Sequence, residues 1–304
     1  MPTSNEYPGK GGIVIFRKRG LIPWLYMGSA LFFLTVYLIY PILNTVYSSF
    51  LGRDSKEFVG IDNYWYVFTN ADMLAALKNN LLWLVLFTSI TVSLGLVIAF
   101  LTDRVRYEAG AKALIFLPMA ISFVAASVIW RFMFEFRPAG VPQIGLLNAG
   151  FNSLLGLNPV AWLVNTRVNN FALIGVGIWV WTGFCMVILS AGLKSIPIGI
   201  LEAARIDGAS EWRIFWSIIV PMMRTTILVV ATTMVIIVLK VFDIVYVMTN
   251  GNLGTEVIAN RMYKEMFNYH HFGRASAIAL ILLFAVIPAI VFNLRRFKAQ
   301  ESIQ

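Results

Sequence analysis

Hydrophobic and polar residues fall along this chain in long blocks rather than in short periods. Apolar runs cover Leu21 to about Val46, Leu81–Leu101, Ala113–Phe134, Phe171–Leu193, Thr225–Met248 and Ala275–Leu294. A helix needs roughly 20 residues to cross hydrocarbon, and a spanning segment must satisfy its own backbone. Each block meets that length, so the pattern predicts an all-α, polytopic membrane protein with six transmembrane helices. The first run is too long for a signal-peptide core and no A-x-A-like site follows it, which predicts a retained helix. Residues 1–20 read as a polar tail ending in Arg17-Lys18-Arg19, ahead of a membrane domain over 21–304.

Composition agrees with that reading. The chain has 304 residues, 59% of them hydrophobic and 13% charged, where a soluble domain carries about 25% charged residues. The net charge of +9 belongs to topology rather than to nucleic acid, because the basic residues flank apolar runs. With the N-terminus inside, the cytosolic segments hold 14 lysines and arginines: Lys10, Arg17, Lys18, Arg19, Arg104, Arg106, Lys112, Lys194, Arg205, Arg213, Arg224, Arg295, Arg296 and Lys298. The opposite side holds 8, in longer loops. The positive-inside rule then places both termini in the cytosol.

One cytosolic segment, 195–221, is a polar insert between two apolar blocks. Pro197 suits a first helical turn, with Ser195 as an expected cap. Gly208 stops that helix, and Ser210-Glu211 restarts another. Ala203 and Ala204 permit close approach, and Ile198 and Leu201 add apolar contact. A short helix, a bend and a second helix make a handle for a partner protein. On the other side, segments 47–79 and 135–170 mix aromatic and turn residues, and Asn250-Gly251 marks a turn. Thr255–Phe267 reads as an amphipathic helix, either a surface for a soluble delivery protein or an interfacial cap on the bundle.

Ionisable groups at membrane depth are costly and usually functional. Lys240 and Asp243 stand three residues apart in the fifth block, on one expected helical face and within pairing reach. They offer charge-assisted hydrogen bonds to sugar hydroxyls on a translocation path, or a neutralising pair within the bundle. Thr232 and Thr233 lie two turns earlier and either face the same cavity or bond their own helix. In the fourth block, Trp179, Trp181, Thr182, Gly183 and Phe184 combine ring faces suited to a pyranose with a hydroxyl. In the third, Pro118 and Ser122 interrupt the helix pattern and Trp130-Arg131 lies near one end.

Several chemistries lack their parts. No G-x-x-x-x-G-K-[ST] phosphate loop occurs, so energy must come from another subunit. His270 and His271 are the only histidines, and they lie in an outer loop. An intramembrane hydrolase would need a base beside its nucleophile, and Cys185 has no evident partner. A self-sufficient six-span carrier often shows internal repeats, and none is evident between 21–150 and 171–294.

The cytosolic insert resembles the EAA loop of importer-type ABC permeases. It matches as Glu202-Ala203-Ala204, Gly208, Ile218 and Pro221, with Val220 in the usual Leu position. The resemblance covers about residues 75–295 and implies a type I importer permease fold. It also implies a second homologous permease, an ATPase dimer that carries ATP and Mg, and a solute-binding protein, with no cofactor on this chain. Coupling to the ATPase would fall to Glu202, Ala203, Ala204, Asp207 and Gly208. In maltose-transporter-type permeases, aligned on Pro221, the sugar-contacting positions fall on Trp181, Phe184, Met234, Val238 and Val241. These are apolar here where the family has polar contacts, which moves weight to Lys240 and Asp243, beside Thr182 and Thr233. The runs Asn158–Asn165 and Lys240–Gly251 look most like permeases for α-glucosides, such as disaccharides or glucosylglycerol.

Overall fold

A computed structural model of the chain describes residues 21–138 and 140–301. The tail 1–20, with Lys10, Arg17, Lys18 and Arg19, lies outside them, as do the side chains of Arg296 and Lys298. The described residues are helical apart from turns and a single antiparallel bridge between Leu51 and Phe58. Four helices are long and apolar enough to cross a membrane, and the number rises to six if each of two bent pairs counts as one span.

Residues 21–47 form a unit of their own. They belong to helix α1 (residues 21–49), which carries a π turn over Thr35–Ile39 and exposes Phe32, Phe33, Tyr37 and Leu43. Pro41 lacks the N–H that would bond back along the helix, and its carbonyl accepts from Thr45 Oγ1 at 2.8 Å.

The second unit, residues 48–304, is built on two long helices. After α2 (Asp62–Thr69), α3 (Ala71–Thr102) packs along much of its length against α7 (Asn169–Lys194). α3 begins ten residues before the apolar block, because Asn70 accepts hydrogen bonds from the Asp72 and Met73 amides and carries the polar first turns. The last helix (Phe272–Glu301) is likewise continuous and packs against Arg224–Leu239.

The third and fifth blocks depart from the expected single spans. The third is α4 (Glu108–Phe116) and α5 (Phe123–Met133), bent by 96° across a 3₁₀ turn at Leu117–Ala120 that contains Pro118. Ser122 restarts the helix by accepting from the Ala125 amide at 3.2 Å. At the end of α4, Gly183 of α7 lets the two backbones meet: a Cβ there would lie 2.5 Å from the Ile115 carbonyl oxygen. Beyond α5 come α6 (Leu146–Leu155), α7 and α8 (Ile198–Ile206).

The fifth block is preceded by α9 (Glu211–Met222), set at 72° to α10 (Arg224–Leu239). It does not continue to Met248 as one helix. Tight bonds from the Lys240 amide to Ile237 O and from the Val241 amide to Val238 O close α10, and α11 (Asp243–Met248) starts afresh. Phe242, which leaves helical geometry at φ −141° and ψ −62°, stacks on Tyr246 at 5.0 Å and lies 5.3 Å from Tyr263. Ring packing overrides the helical propensity of Leu239-Lys240-Val241.

Segment 255–267 is not a surface helix. Thr255 to Asn260 are all buried, and the helix α12 (residues 258–268) packs under α13 (Phe272–Glu301). An asparagine in the third turn of α3 and one at the start of α7 stitch the preceding loop in place. Asn79 Nδ2 donates to Gly254 O at 2.7 Å and to Glu256 O at 2.8 Å, and Asn169 Nδ2 donates to Leu253 O at 2.8 Å. Buried Lys264 pairs with Glu256 at 2.7 Å, and Asn260 donates to the same carboxylate at 2.5 Å. Arg261 pairs with Glu265 at 2.9 Å, and Tyr66 donates to Glu265 at 2.8 Å. Burial first, and then Glu265, pushes the Tyr66 phenol up to about 12, so it stays a donor at neutral pH.

The Lys264–Glu256 pair generates a stability prediction. Lys264→Met strands a buried carboxylate and should cost on the order of 3–5 kcal/mol, whereas adding Glu256→Gln should recover most of the loss. Thermal unfolding of the detergent-purified variants measures this; equal stability of the single and double variants would contradict it.

Candidate functional site

Two regions of the second unit carry the sequence-derived candidates. The first is the loop between α7 and α10. Helix α8 begins after Pro197, and its first turn receives no side-chain cap; Ser195 Oγ instead donates to Gly192 O at 2.7 Å. Its end is a Schellman motif, in which the Ala209 amide bonds Ala204 O at 3.0 Å and the Gly208 amide bonds Arg205 O at 3.0 Å. Gly208 holds φ +79°, a left-handed conformation that glycine adopts without a Cβ penalty. Ser210 then caps α9 through the Arg213 amide at 3.3 Å, as its position predicts.

This helix–turn–helix presents an exposed face. Glu202, Ala203, Asp207 and Gly208 are exposed, with Ile198 and Ile206 at 69% and 85%. Ala204 and Leu201 turn inward and pack on the core. Glu211 fixes the loop to the bundle: it accepts from Arg205 of α8 at 2.9 Å and also pairs with Arg104, just beyond the end of α3. Arg104 in turn lies 3.9 Å over the Phe100 ring. Beside them Lys112 joins Asp103 and Glu108, and Ser190 donates to Asp103 at 2.7 Å. The segments grouped by lysine and arginine content as cytosolic, around Arg104–Lys112 and Lys194–Arg224, thus meet at one end of the bundle.

The second region lies where both broken spans face α3 and α7. A cavity of about 90 Å³ is walled by Trp83 and Phe87 of α3, Phe123 of α5, Trp181 of α7, and the break from Ile237 to Ile244. Of the predicted path residues, Trp181, Val238, Lys240, Val241 and Asp243 line it. Trp181 stacks on Phe123 at 5.7 Å and meets Phe184 edge-on at 5.6 Å, so Phe184 stands one ring behind the wall. Lys240 and Phe242 also border a larger apolar cavity of about 510 Å³ beside α12 and α13.

The remaining candidates sit elsewhere. Thr182 is buried and donates to Ile178 O at 2.7 Å, and Thr233 donates to Val229 O at 2.9 Å, each turned to its own helix. Met234 is wholly buried in the core. Lys240 and Asp243 do not share a helical face, because the helix ends between them, and among the described residues no ion pair joins them. Lys240 is exposed and Asp243 half-buried. Sequence reasoning missed Trp83, Phe87 and Phe123. The first two were signalled by large aromatic residues at i and i+4 of one helix face, and the third by its place after the Ser122 cap.

The bundle thus has an aromatic-walled cavity beside its two helix breaks and an exposed helix–turn–helix at one end. The comparisons assign the family. The model for the binding-protein-dependent transport system inner membrane component matches residues 91–300. The osmoprotective compounds uptake permease protein GgtC of Synechocystis sp. is 64% identical over 280 residues, covering 92% of this chain and 100% of that protein. The alpha-glucoside transport system permease protein AglF of Rhizobium meliloti is 46% identical, covering 97% and 90%. A crystal structure of a bacterial ABC transporter that imports the acidic polysaccharide alginate contains a chain of the same fold, with TM-score 0.77 at 22% identity, covering 91% and 96%. The chain belongs to the family of binding-protein-dependent inner-membrane transport components, and it is a multi-pass permease subunit of an ABC importer.

The geometry around Lys240 yields a measurable consequence. Without a shared ion pair, Lys240→Ala and Asp243→Ala should destabilise nearly independently, with a coupling of no more than about 1 kcal/mol in a double-mutant cycle, from the cavity that both line. Unfolding of the four proteins in detergent tests it; a coupling above roughly 2 kcal/mol would restore the buried pair.

Proposed function

We propose that this chain is one of two homologous permeases that together enclose the path of an α-glucoside, a disaccharide or glucosylglycerol, through the inner membrane. An extracytoplasmic solute-binding protein delivers the sugar. A separate ATPase dimer, which holds ATP and Mg, docks on α8 and its end through the exposed Glu202, Ala203, Asp207 and Gly208, whereas Ala204, expected in the same contact, packs on the core and seats the helix on the bundle. Both termini lie in the cytosol on this reading, in line with the lysine and arginine distribution.

The observation that carries the substrate class is the cavity beside the two helix breaks. Trp181, Phe123, Phe87 and Trp83 offer ring faces to the C–H surface of a pyranose, and Lys240 and Asp243 offer a donor and an acceptor to its hydroxyls. The names of the relatives GgtC and AglF, for osmoprotective compounds and alpha-glucosides, point the same way. The cavity's size supports the second permease. At about 90 Å³ it falls short of the roughly 300 Å³ at which small-ligand sites begin, so this chain supplies one wall. At the other end of the bundle, the exposed Ile198, Ala203 and Ile206 supply apolar contact on a short helix that Gly208 terminates.

The test is ATP hydrolysis and uptake by the complex purified through this chain, reconstituted with its binding protein and a panel of sugars. Stimulation by α-glucosides over β-linked sugars is expected. Trp181→Ala should lower uptake roughly tenfold through loss of the ring face. Gly208→Leu should leave the protein inserted but abolish sugar-stimulated hydrolysis, because a left-handed residue with a Cβ costs about 1–2 kcal/mol and the bend distorts. Uptake that proceeds without ATP or a copurifying ATPase would overturn the proposal in favour of a self-sufficient carrier.

A further inference from the structure

Helix α9 meets α10 at 72°, so it runs across the end of a span rather than along it. For a spanning α10, that angle lays α9 close to the membrane plane. Its sides differ sharply. Ile214, Phe215 and Ile219 are buried against the bundle, with Phe215 edge-on to Phe100 at 4.9 Å. Away from the bundle stand Trp212 and Trp216, one turn apart, 72% and 52% exposed and in edge-to-face contact at 5.7 Å.

The arginines at this end divide in the same way. Arg104 and Arg205 are committed to Glu211. Arg213, next to Trp212, and Arg224, just past the bend, are exposed, and no ion pair among the described residues uses either. Indole rings settle at the headgroup level of a bilayer, where one edge is apolar and the other wet. A guanidinium fork matches phosphate oxygens. An in-plane helix with tryptophans and arginines on its free side has the form of an interfacial helix.

We propose that this face of α9 binds the phosphate headgroups of anionic phospholipid in the leaflet beside the coupling loop. Arg213 and Arg224 take the phosphates, and Trp212 and Trp216 lie at glycerol depth. The contact fixes the depth of one limb of the loop, so that a push on α8 is converted into rotation about Met223. The inference rests on α10 being a membrane span and not on the identity of the sugar.

Tryptophan quenching by brominated lipid tests it on the purified complex in nanodiscs. The chain has nine tryptophans, so the difference between the native protein and Trp212→Phe/Trp216→Phe isolates the two in question. That difference signal should be quenched at roughly tenfold lower mole fraction of brominated phosphatidylglycerol than of brominated phosphatidylcholine, the preference two cations near an anionic surface give. Arg213→Gln/Arg224→Gln should remove the preference while leaving quenching itself. Equal quenching by both lipids would overturn the anionic site. No quenching of the difference signal would show that water or another subunit covers this face, and would overturn it as well. Sugar-stimulated ATP hydrolysis, read on the same nanodiscs, separates failure of this inference from failure of the proposed function.

Discussion

A peptide group in hydrocarbon has no partner except another group of the protein, and that constraint shapes the whole permease. Where α3 and α7 run without interruption, each helix satisfies its own backbone; α13 is continuous too, but Pro288 inside it has no N–H to donate. Where the chain leaves helical geometry, the freed backbone must be enclosed. The 3₁₀ turn around Pro118 follows the close approach of α4 to Gly183 of α7. The break at residues 240–242 is roofed by Phe242, Tyr246 and Tyr263. Both breaks end on the same aromatic cavity, because a protein-lined hollow is a place at this depth where irregular backbone is tolerated. The aromatic cavity is therefore a consequence of where the helices stop.

The two ends of the bundle are built for different tasks. Opposite the coupling loop, charges are buried and matched: Lys264 with Glu256, Arg261 with Glu265, and asparagine side chains clasping carbonyls of the loop before α12. Removing one member leaves a stranded group, so this end is held in one arrangement. At the coupling end, Glu211, Arg104 and Arg205 are each 40–45% exposed, and such pairs contribute about 0–1 kcal/mol. They orient the loop without welding it. The far end is thus held by buried pairs, while α8 and α9 are tied to the bundle through partly exposed ones.

The sequence made much of this legible. Each long apolar block falls on helix, four as continuous candidate spans and two within bent pairs, and the lysine and arginine distribution grouped segments that the fold brings together. Gly208 and Ser210 were readable as punctuation because a left-handed stop and an N-cap are local requirements. Ser195 was misread, since a serine near a helix end bonds backward to Gly192 as readily as forward. The break at Lys240 was not legible: nothing local stops that helix, and the cause is the packing of Phe242 against Tyr263, distant in sequence. The amphipathic pattern of 255–267 likewise gave no warning of the buried Glu256 and Lys264, which pair with each other and are enclosed by α13 and α3. Thr182 and Thr233 have hydroxyls that their own helices claim, and hydropathy cannot see that.

The central claim is that α8 is the contact through which a separate ATPase drives this subunit. A benzophenone carried on Ala203→Cys, in membranes containing the assembled transporter, tests it directly. The native Cys185 is buried and does not compete for the label. Photolysis should join this chain to the ATP-binding subunit, while the same label on Asn252→Cys, at the far end, should not. A product between Asn252 and the ATPase, with none from Ala203, would contradict the account.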